Sequence, residues 1–230
     1  MDRRLFWFLA TLVPVLVWSG IKPHDLFTWS LEVAPIFIGV PLIVAVRRQF
    51  PLSTLLLALI WLHALILMVG GHYTYARVPL GDWVSQLFGW PRNNYDKLGH
   101  FAQGFIPAIL AREILLRTSP LGNGVVAGGD DPGPASPGPA AGTGARRPSR
   151  WLGFLVVSVC LAFSALYELL EWITAVWSGE AAEEFLGTQG YVWDTQTDMA
   201  LALVGTVAAL LLLSRVHDRS IARLFSHGNK

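Results

Sequence analysis

The sequence predicts an all-α membrane bundle: about six apolar helices crossing a bilayer, plus one short amphipathic helix on its outer face. Three observations carry that prediction. Of 230 residues, 53% are hydrophobic and only 14% charged, against about 25% charged in ordinary soluble domains. Apolar runs of bilayer-spanning length recur along the chain. Lysine and arginine are shared unevenly among the connections between those runs, as expected where positive charge resists export.

A hydrocarbon core of about 30 Å needs roughly 20 apolar residues per helix. Six segments meet this: 5–21, 27–46, 52–70, 98–116, 151–177 and 198–213. Arg3 and Arg4 ahead of the first run resemble the start of a signal peptide. The run ends Val17-Trp18-Ser19-Gly20 with no small-x-small cleavage site, so it reads as a retained helix. The sixth segment is short in apolar residues, which places its polar start in the headgroup region.

Connections alternate between the two faces of the membrane. One set, with Arg112 just inside a helix end, holds thirteen of the seventeen Lys and Arg residues. The other set holds four: Lys22, Arg77, Arg92 and Lys97. The basic set faces the cytoplasm, and an even number of spans puts both termini there. The expected location is a membrane crossed several times. Trp18, Trp29, Trp83, Trp90, Trp177 and Trp193 then form an outer aromatic belt. The arginines beside apolar spans are better explained by a membrane than by a nucleic-acid backbone, so membrane lipid is the expected partner. Cys160 is the sole cysteine, so no intramolecular disulfide is possible.

Two connections differ in kind. Residues 118–150 are rich in Gly, Pro, Ala and Ser, cannot bury enough apolar surface to fold, and are expected to form a disordered cytoplasmic linker. Residues 79–91 carry Leu80, Trp83, Val84, Leu87 and Phe88 at helical spacing, which predicts the amphipathic helix. The chain thus divides into helices 1–4 (1–117), the linker, and the last two helices with a basic cytoplasmic tail (151–230), in one membrane domain. The outer stretch from Glu183 to Tyr191 reads either as a lid or as a plain connection.

Ionisable groups inside a span cost roughly 2.5–3.5 kcal/mol near a helix centre, so their positions carry information. Asp96, His100 and Gln103 share one face of the fourth helix. Glu168 and Glu171 share a face of the fifth, and Asp194 and Asp198 a face of the sixth. His72 and Tyr73 close the third helix. The topology sets all of these in the outer half of the membrane or at its outer edge. Glu32 near the outer end of the second helix could join them or snorkel, while Arg112 and Glu113 at a cytoplasmic helix end can reach the interface and are assigned no chemistry.

So many carboxylates at one depth need a proton, a cation or an internal ion pair. Three readings stand. A divalent metal suits mixed carboxylate and imidazole donors, with His72, Asp96, His100, Glu168, Glu171, Asp194 and Asp198 as candidate ligands. Proton relay or cation transport is the second. In the third, the groups are structural, with Asp96 and Asp194 as helix caps.

The segments Gly71-His72-Tyr73-Thr74-Tyr75, Tyr95-Asp96-Lys97-Leu98-Gly99-His100-Phe101, Glu168-Leu169-Leu170-Glu171-Trp172, Phe185-Leu186-Gly187-Thr188-Gln189-Gly190 and Trp193-Asp194-Thr195-Gln196-Thr197-Asp198-Met199 together resemble the YjdF family of bacterial inner-membrane proteins. More distantly, Asp96-Lys97-x-x-His100-Phe101, a Glu-bearing helix and an Asp opening the last helix are similar to the VanZ-like pattern, which is associated with glycopeptide-antibiotic resistance at the cell envelope. Glu171 and the long acidic outer loop depart from that shorter form. These resemblances imply an outer-leaflet or periplasmic role and no particular reaction.

The leading expectation is metal-assisted chemistry on a lipid or envelope precursor. Glu168, Glu171, Asp198 and His100 are its candidate catalytic groups, and Tyr73, Lys97, Gln103 and Gln196 would orient a substrate head group. The alternatives are an ion-coupled transporter and a non-catalytic partner of an envelope complex.

Overall fold

A computed structural model describes residues 3–122, 149–178 and 189–226. Seven α-helices make up nearly all of it, with no strand among the described residues. They are α1 (Arg3–Gly20), α2 (Leu26–Val46), α3 (Thr54–Tyr73), α4 (Pro79–Phe88), α5 (Tyr95–Thr118), α6 (Arg150–Ser178) and α7 (Asp194–Ser226). Most of the expected linker, 123–148, and the acidic part of the outer loop, 179–188, lie outside the described residues.

Four helices are long and apolar enough to cross a membrane: α2, α3, the 151–177 stretch of α6, and α7. Helix α1 has 18 residues. Helix α5 has 24 and runs unbroken through Pro107, but carries Asp96, Lys97, His100, Arg112, Glu113 and Arg117. Side-chain caps start α2 at Asp25 and α3 at Ser53, each oxygen accepting from a first-turn amide.

Helix α5 is central, packing on α3, α6 and α7, while α1 and α2 pack on α3. The α5–α7 contact sets the register of everything above it. A Cβ at Gly104 would stand 1.8 Å from the Ala202 carbonyl oxygen, and one at Gly205 would stand 2.2 Å from that of Phe101. Only hydrogen fits at either position, so the two backbones touch, as small residues allow between membrane helices. The Thr206 hydroxyl bridges the crossing, donating to Ala202 O at 2.9 Å and Gly104 O at 3.1 Å. Counting back by fours from Gly104 gives His100 and Asp96; from Ala202 it gives Asp198 and Asp194. The crossing therefore stacks two pairs of polar residues against each other.

Helix α4 is amphipathic with its apolar side outward. Leu80, Trp83, Leu87 and Phe88 are exposed, while Ser85 donates to Arg92 O at 2.6 Å and Asp82 accepts from the Asn93 amide at 2.8 Å. Of the six expected belt tryptophans, five are exposed. Trp29 instead turns inward and donates to Ser19 Oγ at 3.2 Å, because its indole N–H finds a partner between α1 and α2. The expected tail beyond residue 213 is a continuation of α7 to Ser226. No Gly or Pro interrupts 206–226, so nothing stops the helix.

Candidate functional site

At the start of α5 and α7, Lys97 lies between three aspartates. Its Nζ is 2.6 Å from Asp198 Oδ1, 2.7 Å from Asp194 Oδ1 and 3.4 Å from Asp96 Oδ2. Arg92 reaches Asp194 Oδ1 at 3.2 Å and stacks its guanidinium 4.3 Å over the Tyr191 ring. Neither aspartate is a helix cap: the Tyr95 amide donates to Asn93 Oδ1 at 3.0 Å, and the Asp194 carboxylate is taken up by the two cations. Asp194 sits in the first turn of α7, where the helix dipole favours an anion.

One turn further along α5 lies His100, buried, with oxygen on both sides. Its Nε2 is 3.2 Å from Asp96 Oδ1 and 3.9 Å from Asp198 Oδ2. Its Nδ1 is 3.0 Å from Gln103 Oε1 and 3.7 Å from Glu168 Oε1. Donor atoms of Asp96, His100 and Asp198 all lie within 4.8 Å of one another, a spacing that could hold a metal ion. Glu168 faces the opposite nitrogen, so it is placed to orient the ring rather than to share an ion bound at Nε2. That carboxylate is 7% exposed, and its Oε1 has no hydrogen-bond partner. Glu32 is also buried here, its Oε2 3.5 Å from the Tyr167 hydroxyl. Glu171 and Glu32 are within electrostatic reach of His100. Among the described residues, six carboxyl groups thus gather around two fixed cations and one imidazole.

Residues 189–191 lie against this cluster. Gln189 donates to Asn93 O at 2.8 Å, and Tyr191 lies under Arg92. Residues 189–191 therefore pack against the segment between α4 and α5, beside Arg92 and Lys97.

Three of the sequence-derived candidates are placed elsewhere. His72 stacks on Trp18 at 4.5 Å, and its Nδ1 is 3.0 Å from Ser19 O. Tyr73 packs edge-on against the same Trp18 and His72. Both turn toward α1, because the last turn of α3 is covered by the α1–α2 connection, where the His24 amide donates to His72 O. Gln196 is exposed; two residues from Asp194 and two from Asp198, it occupies the opposite side of α7.

A second polar cluster, whose Arg112 and Glu113 were assigned no chemistry above, lies at the other end of the same helices. Glu113 is fully buried rather than snorkelling. Its Oε1 accepts from the Ser53 amide and from Arg117, both at 2.9 Å, and its Oε2 accepts from His217 Nε2 at 2.9 Å. Arg112 Nη1 is 2.9 Å from His217 Nδ1, and Arg112 Nη2 is 2.7 Å from Asp218 Oδ1. A guanidinium can only donate, so His217 Nδ1 accepts and the ring is neutral with its proton on Nε2. Two arginines then balance two carboxylates. The i, i+4 pair of Glu113 and Arg117, with His217 on a helix nothing interrupts, was the available signal.

The comparisons with known proteins agree with this architecture. The profile of the family described as "Predicted membrane protein (DUF2238)" matches residues 4–219. The chain is 46% identical over 213 residues to "Inner membrane protein YjdF" of Escherichia coli (strain K12), covering 93% of this chain and 90% of that protein. No solved structure matches. With a family profile spanning nearly its whole length and a relative this similar, the chain belongs to the DUF2238 family of membrane proteins.

Proposed function

We propose that this protein crosses the inner membrane six times, with both termini in the cytoplasm, and that its outer cluster is a divalent-cation site acting on a lipid or envelope precursor. Helices α1 and α5 join the four strongly apolar helices as spans. The polar residues of α5 lie at its ends, where the two clusters bury them.

The observation that carries the reading is the convergence of Asp96, His100 and Asp198. Metal bonds of about 2.0–2.1 Å at tetrahedral angles separate donor atoms by about 3.4 Å. The distances from His100 Nε2 to the two carboxylates, 3.2 and 3.9 Å, bracket that value. With Nε2 given to a metal, the Nδ1 proton points at Gln103 Oε1 and Glu168, the outer-shell arrangement that orients metal-bound histidines. The remaining excess of carboxyl groups favours a dication. A bound divalent ion would polarise a phosphoryl or carbonyl oxygen or activate a water.

In this reading Lys97 and Arg92 hold Asp194 and Asp198 in register. Glu171 and Glu168 are the candidate proton acceptors beside His100. The outward apolar row of α4 provides the lipid-facing approach.

One observation favours the ion-coupled carrier. Ser164, one turn along α6 from Glu168, is fully buried with its hydroxyl unpartnered. A polar path would have to continue from there to Glu113 and His217. Ile109, Val156 and Ala209, all fully buried, stand between, and they weigh against it.

Elemental analysis of detergent-purified protein tests the proposal. About one divalent ion per chain is expected, falling to background in a His100→Ala, Asp198→Asn variant of unchanged helicity. A protein that stays metal-free when saturated with zinc, manganese or magnesium would rule the cation site out. Labelling of single cysteines placed in the loops of a Cys160→Ser background checks the orientation separately.

A further inference from the structure

Helix α3 ends in a strained turn. Thr74 is buried and sits at φ 59°, ψ 141°, a region that a β-branched residue enters only when its surroundings force it there. The turn sends Tyr75 back into the bundle, where its side chain is buried. We infer that Tyr75 is a positioning residue of the outer site: it holds the Glu32 carboxylate beside His100 and so raises the site's affinity for the divalent cation proposed above, the reading on which this role rests.

The slot for the ring is cut by two glycines on different helices. A Cβ at Gly70 on α3 would stand 2.4 Å from Tyr75 Cε2, and one at Gly99 on α5 would stand 2.8 Å from Cε1. Side chains do not approach so closely, so a larger residue at either place would displace the ring. Tyr95 packs on it, with centroids 5.6 Å apart. The strained turn and both glycines thus serve one ring. Packing alone would not call for tyrosine, since an apolar residue fills a slot without needing a partner for a hydroxyl.

The hydroxyl has such a partner. Glu32, buried on α2, takes side-chain hydrogen bonds from Tyr75 and Tyr167, with the Tyr167 oxygen 3.5 Å from Oε2. Gly71 lets α2 come near here, since a Cβ on it would stand 3.2 Å from Glu32 Cβ. The Tyr167 ring in turn lies edge-on to His100, 6.4 Å between centroids. Two phenols, from the end of α3 and from α6, therefore fix one carboxylate within electrostatic reach of His100 and Asp96. Lys97 and Arg92 are taken up by the aspartates of α5 and α7, and neither pairs with Glu32. A fixed anion in a medium of low dielectric adds to the pull on a dication without touching it.

The test is a calorimetric titration of the chelator-stripped full chain in detergent with zinc, manganese and magnesium in turn. Tyr75→Phe keeps the ring in its slot and removes only the hydroxyl; Glu32→Gln keeps the shape and removes the charge. Each should weaken binding about tenfold, the lower end for residues that support metal ligands, while metal-free Tyr75→Phe melts as the parent does. Because Tyr75 acts through Glu32, adding Tyr75→Phe to Glu32→Gln should change affinity by less than about twofold. Gly70→Ala expels the ring and should weaken binding at least as far as Tyr75→Phe. A Tyr75→Phe variant that binds as the parent does would overturn the role, leaving the ring a structural wedge. So would single effects that multiply to about a hundredfold in the double variant. A parent that binds none of the three metals would overturn the cation site itself and this role with it; a parent that binds beside an unaffected Tyr75→Phe overturns the role alone.

Discussion

The two polar clusters occupy opposite ends of the same helix pair, α5 and α7, and neutralise their charge in different ways. At the Glu113 end, both carboxylate oxygens have partners, His217 is a neutral bridge, and two arginines face two carboxylates. At the His100 end, six carboxyl groups surround Lys97, Arg92 and one imidazole. Burial alone does not separate the two, since Glu113 and Glu168 are both inaccessible. Balance does. A closed network holds helices together; an open one, with surplus acceptors, is suited to receive something.

The largest effect should come from breaking the closed network. Replacing Glu113 with Ala leaves Arg117 without its anion and the Ser53 amide and His217 Nε2 without their acceptor, while Arg112 keeps Asp218. Removing one member of a buried ion pair typically costs about 3–5 kcal/mol, so the variant should lose most of its folded yield in detergent. Glu113→Gln should fall between it and the parent, because the amide keeps one acceptor. Thermal unfolding followed by circular dichroism measures both.

The register comes next. Gly104→Val drives a side chain into the Ala202 carbonyl and should separate α5 from α7. Overpacking of this kind costs about 1–3 kcal/mol. Here it should also weaken both clusters, whereas Glu113→Ala should leave the outer one able to bind. Chemical cross-linking between cysteines placed near the outer ends of α5 and α7 reports the separation.

Much of this was legible in the sequence because membrane solvation is an unforgiving constraint. Apolar runs mark the helices, and the cost of buried charge marks Asp96, His100, Glu168 and Asp198 as residues with a reason to be there. Position along each helix could be read from residue counting; rotation about the helix axis could not. His72 and Tyr73 close α3, yet the α1–α2 connection covers that side of α3 and draws them away. Gln196 fails for the same reason on α7. The Glu113 network stayed hidden because two of its members sit where snorkelling is plausible and His217 lies past the end of the apolar run. The helix continues there because no Gly or Pro stops it. Nor does composition reveal that Gly104 meets Ala202 and Gly205 meets Phe101, which is what stacks the aspartates against His100 and Lys97.

Smaller effects sharpen the contrast. Glu168→Gln should leave stability unchanged or raise it by about 1 kcal/mol, since it removes a buried charge whose oxygen has no partner. The opposite sign from Glu113→Gln is the point of the comparison, and parallel melts of the two variants read it directly. Smallest of all, Gln196→Ala on the exposed side of α7 should stay within about 0.5 kcal/mol of the parent and bind metal as the parent does.

The most direct measurement of the open-cluster claim is the unfolding temperature of chelator-stripped protein as a divalent metal is added. A ligand that binds only the folded chain stabilises it by an amount that grows with its concentration. The account predicts a concentration-dependent rise in the parent and in Gln196→Ala, absent in Asp198→Asn. A parent whose melting is indifferent to zinc, manganese and magnesium alike, or an Asp198→Asn variant that responds as the parent does, would contradict it.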